Sequence, residues 1–128
     1  MSTPVSKPSV VPFVAGLLDL NAFIWLGLSL AFLLRMRGNA TMSTPMLWLV
    51  AILMFANAIA MHVAAVGLAA RRRSAYPFAV AVLLLNLALT FTDQFGLLDM
   101  VTLILDVCLL TLLVTRRKAF WPADAATP

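Results

Sequence analysis

All nine Lys and Arg residues lie outside four long apolar stretches, and this segregation limits what the chain can fold into more than any other feature. The cations are Lys7, Arg35 and Arg37, then Arg71, Arg72 and Arg73, and finally Arg116, Arg117 and Lys118. Between them run apolar segments close to the roughly 20 residues that carry a helix across a hydrocarbon core of about 30 Å. Of the 128 residues, 63% are hydrophobic and 11% charged. An ordinary soluble domain is about half apolar and about a quarter charged. A soluble core could not hide so much apolar surface, so the solvent expected for most of the chain is lipid.

Punctuation divides the chain into three parts. Residues 1–11 carry two Pro, three Ser and one Thr, which is the composition of a mobile arm. Residues 12–118 are expected to form one transmembrane domain with spans at about 12–34, 45–70, 76–92 and 97–115. Pro12, Pro45 and Pro77 stand at or near span starts, where the missing N–H costs nothing. Residues 119–128 read as a tail. Short connections make sequential helices antiparallel neighbours. The expected fold is therefore all-α, an integral membrane bundle of four transmembrane helices.

Orientation follows from the cations near the span ends. With the N-terminus inside, the inner side holds Lys7, Arg71, Arg72, Arg73, Arg116, Arg117 and Lys118, and the outer side only Arg35 and Arg37. Both termini are expected to be cytoplasmic. The same positions argue against nucleic acid as a partner, because no aromatic residues interleave with the basic ones and no phosphate-binding face forms.

Polar residues inside the spans are few. Asp19, His62, Asn86 and Asp106 each sit about 10–14 Å from the inner boundary at 1.5 Å per residue. Four polar side chains from four helices at one level could form a single cluster. Such a cluster has two readings. As a proton or cation site, Asp19 and Asp106 would titrate, His62 would shuttle and Asn86 would orient a carboxylate. As interhelical glue, Asp106 would donate to Asn86, and Asp19 would meet His62 or Asn57. Around the turn at Gly96, polar residues fall in mirrored pairs: Asp93 with Asp99, Thr90 with Thr102, Asn86 with Asp106. Equal offsets from a tight turn mean equal depth, which suggests a polar ladder between the last two helices. Gly16-Leu17-Leu18-Asp19 echoes Gly96-Leu97-Leu98-Asp99, an echo that Leu-rich sequence yields by chance.

On the second span, Ala56, Ala60, Ala64 and Gly67 recur at offsets of four, eight and eleven. They make a smooth stripe that another helix, from this chain or a foreign subunit, can approach closely. Ala58 lies four residues before His62, a spacing that resembles the Ala-x-x-x-His pattern of bacterial antenna polypeptides. That resemblance implies chlorophyll ligation by His62, and a lone membrane His can also serve as a haem axial ligand. The packing reading of His62 needs no cofactor, and none is expected. One Cys and one His exclude a structural zinc site and an intramolecular disulfide. Cys108 is expected to be a small buried hydrophobe.

No nucleophile–base pair, phosphate-cradling loop or metal-ligand run is present, so an enzyme is not expected. The expected function is a non-catalytic accessory or structural subunit of a larger membrane complex, with other membrane subunits or a second copy as partner. The alternatives are a small proton- or cation-coupled transporter using Asp106 and Asp19, and a pigment- or haem-binding subunit using His62.

Overall fold

A computed structural model of the chain describes residues 10–36, 43–92 and 96–120, and among them it is helical with no strand. The elements are α1 (Val10–Met36), α2 (Thr44–Ala69), α3 (Ala75–Thr92), α4 (Leu97–Thr115) and a single turn, α5 (Arg117–Phe120). Most of the expected arm, Asp93 of the expected ladder and residues 121–128 lie outside the described residues.

Each boundary has a local cause. α1 begins two residues before Pro12, which sits harmlessly in the first turn. Ser43 is extended, and Pro45 follows in the first turn of α2. At the other end of α2, Arg71 adopts a left-handed φ of 53°. The Arg72 N–H then donates to the Gly67 carbonyl and the Arg71 N–H to the Leu68 carbonyl, both at 3.0 Å. This is the paired closure that stops a helix and satisfies its last carbonyls. At the start of α4, the Gly96 N–H donates to Asp99 Oδ2 at 2.8 Å. A carboxylate in the first turn also suits the positive end of the helix dipole.

α1 and α2 are 27 and 26 residues long, and both are long and apolar enough to cross a membrane. α3 and α4 have 18 and 19 residues, about 27 and 28 Å at the helical rise. Side-chain contacts fix how the helices face one another. Asp19 meets His62, and ten residues further along α1 the Ser29 hydroxyl donates to the Ala51 carbonyl at 3.3 Å. The Tyr76 hydroxyl donates to the Leu113 carbonyl at 3.1 Å, tying the start of α3 to the end of α4. Its ring also packs on Phe120, with centroids 6.1 Å apart. Phe120 is buried, so the chain expected to begin its tail at residue 119 is still helical and packed there. An aromatic partner in α3 holds it.

The core takes Val14 and Leu18 from α1, Met61 and Ala64 from α2, Leu83 from α3, and Leu109 and Leu113 from α4. Beside these apolar residues lie six buried polar ones: Asn21, Ser29, Asn86, Thr90, Thr102 and Asp106. The outside is the reverse. Phe23, Leu34, Ile52, Leu53, Leu85 and Ile104 are among many large apolar residues at least half exposed. Water would penalise that distribution, and lipid does not.

Where α2 turns into α3, the backbones come very close. A Cβ added at Gly67 would stand 2.8 Å from the Ala75 Cβ. Only a glycine fits that spot without movement.

Candidate functional site

The expected four-residue cluster is divided between two places. Helix rotation is the reason. Asp19 and Asn21 are two residues apart, about 200° around α1, so one faces out along α2 and the other faces into the bundle.

The outer site is the pair Asp19 and His62. His62 Nδ1 stands 2.6 Å from Asp19 Oδ1, and the two side chains are 57% and 38% exposed. This hydrogen bond between Nδ1 and the carboxyl holds the ring in one orientation. Nε2 is left for a second partner. The pair closes one end of an open cleft of about 280 Å³ between α1 and α2, whose walls include Phe23, Leu26, Phe55 and Ile59. Apart from the pair, the lining is apolar.

The inner site begins with a bond that sequence reasoning missed. Asn21 Nδ2 donates to Asp106 Oδ1 at 2.6 Å, joining α1 to α4. Asn86, the expected partner of Asp106, donates to Met61 Sδ at 3.7 Å. Asn21, Asn86 and Asp106 are each at most 1% exposed. Three of their oxygens have no hydrogen-bond partner: Asn21 Oδ1, Asn86 Oδ1 and Asp106 Oδ2. The signal that could have found Asn21 was its position opposite Asp19 on a helix otherwise apolar on that side.

Thr90 and Thr102 of the ladder share the interior, but their hydroxyls bond along their own helices. The Thr90 hydroxyl donates to the Asn86 carbonyl at 2.8 Å, and the Thr102 hydroxyl to the Asp99 carbonyl at 3.0 Å. Threonine commonly closes on the preceding turn in this way. Asp99 caps α4, so the two copies of the Gly-Leu-Leu-Asp echo place their carboxylates in unrelated roles.

The small-residue stripe is largely used within the chain. Ala64 is fully buried, Gly67 faces Ala75, Ala60 is half-buried and Ala56 is exposed. Cys108, expected inside, is exposed on α4. It lies two residues after buried Asp106, about 200° around the helix. Among the described residues no group of three or more His, Cys, Asp or Glu side chains could hold a metal ion.

Residues 29–116 are similar to a family model described as a predicted membrane protein, DUF2127. No curated protein and no solved structure matches the chain. The matched segment takes in His62, Asn86 and Asp106, and it begins after Asp19 and Asn21.

Proposed function

We propose that this chain, which belongs to the DUF2127 family of predicted membrane proteins, is a four-pass subunit without catalytic activity that docks into a larger membrane assembly. The observation that carries the reading is the Asp19–His62 pair on an outward flank that is otherwise apolar. His62 lies seven residues from the end of α2, about 10 Å inside it. At that depth lipid offers no hydrogen-bond partner, and polar side chains there are costly unless another helix meets them. A partner helix with a hydrogen-bonding side chain would meet His62 Nε2 and fill the cleft beside it.

In this reading all four long helices cross the bilayer as antiparallel sequential neighbours. The contact of Tyr76 with Leu113 supports it, because it brings Arg71, Arg72 and Arg73 to the same end as Arg116, Arg117 and Lys118. Arg35 is at the far end of α1 from the Asp19–His62 pair. Cations gathered at one end are those of a cytoplasmic face. A carrier would have to bring water to Asp106, and Asp106 is enclosed.

Native mass spectrometry of the protein, gently extracted from its own membranes, tests the proposal. The expected result is a stoichiometric foreign subunit retained by the wild type and lost from a folded His62→Leu variant. A wild type that emerges bare, as a monomer or homodimer, would overturn the accessory role. A tetrapyrrole mass lost with His62→Leu would replace the docking role with ligation.

A further inference from the structure

We propose that the buried layer of Asn21, Asn86 and Asp106 holds a monovalent cation, with sodium the ion of choice. Contacts between the helices put these residues at one level. Asp19 lies beside His62, so Met61 is level with residue 20, one position from Asn21, and Met61 in turn touches Asn86. Asn21 is bonded to Asp106. On the other side of the bundle, Tyr76 meets Leu113; ten residues on and ten residues back bring Asn86 level with residue 103, within a turn of Asp106. Asn21, Met61, Asn86 and Asp106 come one from each of α1 to α4 and are set around the bundle interior at one level.

The chemistry of that ring is one-sided. Its three orphaned atoms, Asn21 Oδ1, Asn86 Oδ1 and Asp106 Oδ2, are all acceptors. The amide groups are already engaged, Asn21 with Asp106 and Asn86 with Met61. A buried acceptor left unpaired is costly, and more so when it is charged. The carboxylate also needs a positive charge near it, and every Lys and Arg lies outside the apolar runs. A hydrogen on Asp106 would neutralise the carboxyl but reach one neighbour. A cation held between them would give all three oxygens a partner and supply the missing charge. Hard oxygen donors select ions of the sodium or calcium kind, and a single carboxylate balances one positive charge. The inference does not depend on the docking role of His62.

The full chain in detergent, unfolded thermally at fixed pH and ionic strength, gives the test. Sodium chloride is exchanged for choline chloride, with lithium and potassium in parallel. A bound ion stabilises the folded state by mass action, so sodium should raise Tm by about 5 °C at tenfold excess over its Kd. Asp106→Asn, which keeps the shape, should abolish the sodium response. Asn86→Leu should weaken it, and this second variant decides the matter if Asp106→Asn does not fold. Equal Tm in sodium, lithium, potassium and choline would overturn the proposal and leave the oxygens to a trapped water. A Tm that ignores all three cations and follows pH through Asp106 alone would also overturn it, in favour of a bound proton.

Discussion

Asp106 and Asn21 are the residues on which the interior depends most. Removing the amide should leave Asp106 buried without the donor that now meets Oδ1. A double-mutant cycle with Asn21→Leu, Asp106→Leu and the pair, read by reversible unfolding in mixed micelles, should give a coupling energy of about 0.6–1.7 kcal/mol. Asn21→Leu alone should be the worst of the three, because it strands a carboxyl, and the double variant should recover part of the loss. Coupling near zero would mean that the bond at 2.6 Å does not hold α1 to α4. Asp19 and His62 belong to the opposite category. Exposed on the flank, they should change association far more than folding, which the native mass spectrum and the unfolding midpoint of His62→Leu can separate.

Helices were the most legible level of the sequence, and their rotations the least. Basic clusters, prolines and the turn at Gly96 mark where α1 to α4 start and stop, to within about two residues, because topogenic charge, proline and glycine act locally. Rotation is set by which face meets a neighbour, and helices apolar all round declare no face. That is why Asp19 and Asp106 could be placed at one depth and still end in different sites. It is also why the mirrored threonines suggested rungs across the hairpin, although their hydroxyls close on their own turns. Gly67 is a case where an element-scale consequence can be measured. With a Cβ 2.8 Å from that of Ala75, neither atom can rotate away, so Gly67→Ala should push α2 from α3 and cost about 1–3 kcal/mol. A Gly67→Ala protein as stable as wild type would show that the α2–α3 corner has room the geometry denies.

The described residues depart from the soluble pattern, with leucine, isoleucine and phenylalanine on the outside and two carboxamides and a carboxyl set into an apolar core. The proposed topology, four crossings with both termini cytoplasmic, makes a simple forecast for labelling in sealed cells. In a Cys108→Ala background, Arg35→Cys should react with an impermeant maleimide from outside. Arg72→Cys and Lys118→Cys should react only after the membrane is opened. Arg35→Cys and Lys118→Cys reacting from the same side would rule out the three crossings expected between the second and fourth basic clusters. The bond between α1 and α4 also sets an order of events during synthesis, since its partners are 85 residues apart in the chain. At roughly 5–20 residues per second, Asn21 leaves the ribosome about 4–17 seconds before Asp106 does. His62 follows Asp19 by only 43 residues, so the outer pair can form about twice as early. The first helix to be made is therefore among the last to be locked in place, and until then its amide must wait in the membrane for a partner not yet translated.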